Sequence, residues 1–348
     1  MVVLGADLHK RSHTIVVTDE NGQKLAERTV PATDVGHREV RRWASQWPER
    51  RWALEDCRHL SRRLEIDLLR SGESVVRVPP KLMAGARRGG REPGKSDPID
   101  ALAVARAALR EPNLPVATLD GPERDLRLLV DHREDLVAER TRAENRLRWF
   151  LVELDVEEPA ARALDRAHVL VTLERALAPR TGTSARIARE LVVQVRTLTS
   201  AINALEREVD DLGARLAPTL RALPGCGPLT TAKLVGETAG VGRFRSMAAF
   251  AMHTGTAPVP VWSGNVVRHR LNRGGNRQLN VALHRIAITQ LQRPGAGRDY
   301  VAKRMTAGDT KTEAIRALRR RLSDEVFRRL RDDEAARAAR SLDLGAAA

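Results

Sequence analysis

Two aspartates three residues apart are where this chain first suggests chemistry. In Asp97-Pro98-Ile99-Asp100 the proline has its φ preset and no amide proton, which suits the first helical position. On that reading Asp97 is the N-cap and Asp100 the third residue of a helix through Ala101–Leu109. Residues three apart share a helix face, so the two carboxylates sit side by side and repel unless a cation lies between them. The competing use is capping, with Asp97 on the first amides and Asp100 at the positive end of the helix dipole. Two further acids close apolar runs: Asp7 after Val2-Val3-Leu4-Gly5-Ala6, and Glu55 after Trp52-Ala53-Leu54. Four acids, Asp7, Glu55, Asp97 and Asp100, at the ends of elements point to a metal site. An oxygen-only ligand set suits Mg²⁺, which bridges phosphate oxygens. Neighbouring Asp56, Glu65 and Asp67 read as solvated.

A second group of reactive types lies in the carboxyl half. Ser263 stands beside Gly264, followed by Arg268, Arg270, Arg273 and Arg277. A small hydroxyl ahead of clustered arginines can act as a nucleophile among phosphate clamps. The same residues also make an ordinary solvated loop, and both readings stand at this point. Leu223-Pro224-Gly225-Cys226-Gly227-Pro228 reads as helix, glycine turn, helix, the pattern of a helix-hairpin-helix. Amides at Gly225 and Gly227 would hold a phosphate without reading sequence, although a plain helical turn has the same composition. His253, His269 and His284 lie nearby as proton carriers or packing residues.

The elements that must position these residues follow from patterning. Met1–Leu8, His13–Asp19, Lys24–Val30, Trp52–Glu55 and Ser74–Val78 read as strands, with Glu20-Asn21-Gly22 a turn. Helices are expected after Asp34 and over His59–Ser71. Three strands, then alternating helices and strands, is the order of the ribonuclease H-like fold, in which acids on the first strand, the fourth strand and a late helix converge. Pro112–Pro122 reads as a linker, and Leu126–Leu154 and Ala185–Leu216 as long amphipathic helices. In the second, Ile187, Leu191, Val195, Leu198, Ile202, Leu205, Val209, Leu212 and Leu216 fit a coiled-coil seam or the face of a helical bundle. Gly255–Asn265 reads as a loop, Gln278–Gln290 as an apolar helix and Thr310–Arg340 as a charged helix. The expected fold class is α/β plus α. The expected domains are 1–112 catalytic, 113–217 coiled-coil or helical, 218–300 carboxyl-terminal and 301–348 a helical tail.

Composition bounds the partners. The 348 residues carry a formal charge of +15, and only seven of the 60 basic residues are lysine. Arginine grips phosphate bidentately, so a nucleic acid is the expected partner, beyond what an arginine-biased genome supplies. Aromatics are 3% of residues, which argues against a broad base-stacking platform. Cys57 and Cys226 make neither a disulfide framework nor a zinc site. With no signal-like start and no long apolar run, a cytoplasmic protein without a membrane partner is expected.

Gly5-Ala6-Asp7-Leu8-His9-Lys10, Ala53-Leu54-Glu55 and Lys95-Ser96-Asp97-Pro98-Ile99-Asp100-Ala101 occur in one chain with Leu223-Pro224-Gly225-Cys226-Gly227, Ser263-Gly264 and Arg273-Gly274-Gly275-Asn276-Arg277. In that order, over most of residues 1–300, the chain resembles the DEDD transposases of the insertion-sequence one-ten type, which include the pilin-gene invertases. The resemblance implies a RuvC-like catalytic domain, a coiled-coil middle and a carboxyl transposase domain. It implies metal binding by Asp7, Glu55, Asp97 and Asp100, and attack on a DNA phosphate by Ser263, with Ser246 a second serine nearby. It also implies a bridge RNA that pairs with donor and target DNA, and assembly as dimers or tetramers, so that acids and serine can come from different subunits. The expected activity is thus DNA transposition or site-specific recombination. The alternatives are a junction-resolving nuclease that uses water, and a non-catalytic nucleic-acid-binding protein.

Overall fold

The computed structural model describes residues 1–56, 59–80, 82–83, 96–157, 163–263 and 266–346. Cys57, Lys95, Gly264 and Asn265, named above, lie outside the described residues. The chain divides into two compact units, Met1–Asp120 and Gly121–Ala348.

The first unit is built on one mixed sheet. Its strands are β1 (Val2–Leu8), β2 (Ser12–Thr18), β3 (Lys24–Pro31), β4 (Arg50–Glu55) and β5 (Val75–Val78), in the order β3-β2-β1-β4-β5. β1 to β3 run antiparallel in sequence, while β4 lies parallel to β1 and β5 parallel to β4. Helices cover both faces, so the central strands read as continuous apolar runs rather than alternating ones. Against one face pack α1 (Asp34–Ala44) and α2 (Arg62–Arg70), burying Leu4, Ala6, Val40, Trp52, Leu64 and Leu68 together. Against the other lies α3 (Asp97–Arg110), whose Ala103, Val104 and Ala107 share a core with Val3, Ala53, Val76 and Val78. This is the strand order and sense that the ribonuclease H-like reading requires.

Three expectations for this unit need correction. The segment after α3 is more than a linker: Ala117 N donates to Val75 O and Arg77 N to Pro115 O, so the chain adds a short bridge at the β5 edge and buries Ala117. Glu65 is not solvated but buried, because Arg77 on β5 clamps it with two bonds of 2.8 and 2.6 Å. Asp67 is half-buried, its Oδ2 2.5 Å from the buried Nδ1 of His37.

The second unit is almost wholly helical. Two long helices, α4 (Pro122–Glu153) and α6 (Thr183–Leu216), pack along each other, with α5 (Ala167–Leu177) between them in sequence. Arg133 meets Glu206, Arg140 meets Thr199 and Glu153 meets Ser184, so the pair runs antiparallel. Of the expected seam, Leu191, Val195, Leu198, Ile202, Val209 and Leu216 are buried. A second core gathers α7 (Pro218–Arg221), α8 (Pro228–Thr238), α9 (Met247–His253), α10 (Arg277–Leu291), α11 (Ala296–Thr306) and α12 (Lys311–Ala346) around Phe250, Leu283, Ile286, Val326 and Phe327. The segment read as a loop is instead a hairpin, β6 (Val259–Ser263) against β7 (Val266–Arg270), with Ser263 opposite Val266. Its alternating valines and tryptophan favour extended backbone over the turn signal of its prolines.

Candidate active site

Asp7, on β1, is 6% exposed and sits at the carboxyl end of the central strand. Side chains alternate along a strand, so Asp7 shares a face with Gly5 and Val3, the face under α3. Gly5 lets that helix approach. A methyl group there would overlap the carbonyl oxygen of Ala101 and the amide of Ala105, both backbone atoms that cannot swing aside. The helix therefore lies on β1 with its first turn, Asp97 and Asp100, over the strand end.

The start of α3 differs from expectation by one residue. Ser96 is the N-cap, Asp97 is the first helical residue and Pro98 the second, where a missing amide proton is equally harmless. The Ser96 carbonyl accepts from the Asp100 amide at 3.0 Å. Asp97 is thus released from capping, and its Oδ1 lies 3.4 Å from His9 Nε2.

His9 is the residue that sequence reasoning overlooked. It follows β1, and its Nε2 lies 3.2 Å from Asp7 Oδ2 as well as beside Asp97. Ligand atoms of Asp7, His9 and Asp97 lie within 4.8 Å of one another. The signal for it was Asp7-Leu8-His9, since two steps along an extended chain return to the same side. Burial, above all, raises the Asp7 carboxyl above its ordinary value; His9 opposes this, while Asp100 and Asp97 add to it by repulsion. Asp7 Oδ2 is buried, with His9 Nε2 as its near polar neighbour. Glu55 lies on the next strand, outside the group of ligand atoms that lie within 4.8 Å of one another. Leu54 pairs with Ala6, which puts Glu55 level with Asp7 across a spacing of about 4.8 Å, half-buried and on the α3 side with Ala53. A buried carboxylate with one imidazole beside it, amid further acids, fits a divalent cation.

The residues picked in the second unit are spread along one stretch. Ser263 ends β6 and Arg268 lies in β7; both side chains are outside the described atoms. Arg270, Arg273 and Arg277 are exposed. Ser246 caps α9, accepting from Ala249 N at 3.2 Å, a structural use of that hydroxyl. Gly225, with φ +87°, turns the chain between α7 and α8, and a side chain there would press on Ile286 O. Gly227 is the N-cap of α8 with open space beside it. His253 is neutral near pH 7, lowered to about 4 by burial and by Arg243, whose Nη2 lies 3.2 Å from its Nε2. Burial raises the Cys226 thiol to about 11, which makes it inert.

The chain is similar to known transposases. A family profile described as a transposase, the DEDD domain of IS110, matches residues 4–155, and one described as the transposase IS116/IS110/IS902 family matches residues 217–302. The chain is 28% identical to the insertion element IS116 uncharacterized 44.8 kDa protein of Streptomyces clavuligerus, over 94% of each chain. It is 26% identical to the insertion element IS900 uncharacterized 42 kDa protein of Mycobacterium paratuberculosis, over 94% of this chain and 95% of that one. It is 24% identical to the transposase for insertion sequence element IS1328 of Yersinia enterocolitica, over 84% and 85%. Among solved structures, a Thermus thermophilus RuvC in complex with a Holliday junction substrate matches 34% of this chain and 99% of its own, at 17% identity and a TM-score of 0.27. The protein is an enzyme that moves DNA: it belongs to the IS110 family of transposases.

Proposed function

We propose that this transposase is a site-specific recombinase that cuts and rejoins DNA through a phosphoserine intermediate. The observation that carries the reading is the convergence of Asp7, Asp97 and Asp100 at one strand end, with Glu55 level on the next strand. These four acids would hold Mg²⁺, which supplies neutralisation of the scissile phosphate's charge. Ser263 Oγ attacks phosphorus in line. A serine–phosphate ester forms as the strand's P–O bond breaks, and the serine proton ends on the departing DNA oxygen. Attack by a new strand's hydroxyl reverses the exchange, so the phosphodiester energy is kept and no ATP is required. Arg268, Arg270, Arg273 and Arg277 contact phosphates, as do the amides at Gly225 and Gly227. Such contacts give affinity without sequence, so a bridge RNA supplies target choice by base pairing.

Self-association is part of the same reading. Trp149 stays 79% exposed and Val152 67% exposed near the end of α4, apolar surface that a second copy of the chain would cover. The test of the mechanism is a trap. Protein, RNA and DNA are incubated with Mg²⁺, denatured, and searched for a DNA end joined to Ser263. Ser263→Ala should give no adduct and no cleavage. Full cleavage by that variant would instead mean hydrolysis by water, as in a junction-resolving nuclease.

A further inference from the structure

We infer that the tail helix α12 completes a binding cleft for a nucleic-acid phosphodiester backbone, in which Arg316 and Arg319 act together with Arg273 and Arg277. The cleft, of about 650 Å³, lies within the second unit and is lined by the segment after β7, by α10 and by α12. It takes two of its four guanidinium groups from beyond residue 302, where the matched family regions end. The inference rests on the DNA-handling reading above.

Charge makes the case. No carboxylate is among the residues that line the cleft, and among the described residues none of its four arginines has an ion pair within 4 Å, Glu313 acting on Arg316 only at longer range. Elsewhere in the same unit partly buried arginines are matched, Arg133 by Glu206, Arg140 by Glu144 and Arg329 by Glu325. Arg319 Nε is fully buried and has no hydrogen-bond partner. Burial and the neighbouring Arg316 both lower the Arg319 guanidinium from its usual value. His284, also on the wall, is lowered by burial and by Arg319 and so adds no compensating charge. A desolvated cation facing only other cations is unfavourable until an anion arrives. Guanidinium groups take phosphate oxygens in pairs, which makes phosphate the fitting anion.

Shape selects a strand. The volume is in the range of a cleft that holds several groups rather than one ion. No phenylalanine, tyrosine or tryptophan lines it, so the contact is chiefly to the backbone. The wall is held firmly. Asn276 caps α10 at Gln278 N and Leu279 N while donating to Glu237 at 2.7 Å, and Asn280 donates to Thr254 O at 2.9 Å. Arg273 and Arg277 flank that cap, so they are presented by fixed backbone.

The experiment is a salt titration of binding by the full chain, read by fluorescence anisotropy with short duplex DNA and with single-stranded RNA of equal length. For the Arg316→Ala, Arg319→Ala double variant, the slope of log affinity against log salt should fall by about one per arginine. A change with DNA alone assigns the cleft to DNA, a change with RNA alone assigns it to RNA, and either supports the inference. Wild-type slope and affinity with both probes would overturn it. Arg319→Met separates binding from folding: its melting midpoint should equal or exceed wild type, because a desolvated cation is gone. A lowered midpoint with undiminished binding would make Arg319 structural and overturn the proposal. None of these readings requires cleavage, so failure of the Ser263 trap and failure here are distinguishable.

Discussion

The acid cluster of the first unit and the arginine cleft of the second are opposites in sign and alike in logic. Several buried charges elsewhere are matched from within the protein. Glu73 is held by Arg50 and Trp52, and Glu65 by Arg77. Asp7, 6% exposed, faces two further acids with only the imidazole of His9 beside it, and Arg319 faces Arg316. Charge matched internally holds elements together. Charge left unmatched in a cleft is a binding site for the opposite sign, here a cation at one place and a polyanion at the other. The difference between them is burial. Asp7 and Asp100 are buried at a strand end under a helix, where a small ion fits, whereas Arg273, Arg277 and Arg316 are exposed, as a strand of nucleic acid requires.

The largest expected effect breaks the acid side. Asp100→Asn should cut DNA cleavage with Mg²⁺ by several kcal/mol of barrier, on the order of a thousandfold, while leaving DNA affinity near wild type. Loss of affinity in step with cleavage would show that the acids serve folding rather than chemistry. Next in size is Gly5→Ala. A methyl group against Ala101 and Ala105 should push α3 outward and cost about 1–3 kcal/mol, read as a lower urea midpoint.

A third prediction concerns stability without metal. Burial and repulsion raise the Asp7 carboxyl in the folded chain, so the folded state holds its proton more tightly than the unfolded one. Metal-free protein should therefore lose stability as pH rises from Asp7's unfolded value through its folded one, and stay lower above that. Asp7→Asn should flatten this pH dependence and raise the metal-free melting midpoint. It should also shrink the upward shift that Mg²⁺ or Mn²⁺ gives the wild type. A midpoint that falls on Asp7→Asn would mean that His9 already compensates the charge. The smallest effect is expected for Arg186→Ala on α6, whose guanidinium is matched by Glu190: the salt slope of DNA binding should stay within error of wild type. If Arg186→Ala flattens the slope as much as the Arg316 and Arg319 changes do, the distinction between matched and unmatched arginines fails.

Local pattern determined much of this protein. Apolar runs ending in Asp7 and Glu55, a proline at the start of α3 and the periodic leucines of α4 and α6 are properties of neighbours in the chain. They therefore place most element ends within a residue or two, although α4 begins four residues before the expected Leu126. Alternation even contained the sign of His9, two positions beyond Asp7 on an extended chain. Tertiary structure decided the rest, because those outcomes depend on partners distant in sequence. Ser96 rather than Asp97 caps α3, and Asp97 Oδ1 lies near His9. Glu65 is buried because Arg77 arrives from another strand. Residues 259–270 pair as a hairpin although their prolines and glycine signal a loop. The cleft of Arg273, Arg277, Arg316 and Arg319 joins residues about forty positions apart, and whether a guanidinium is matched by a carboxylate is settled only when helices pack.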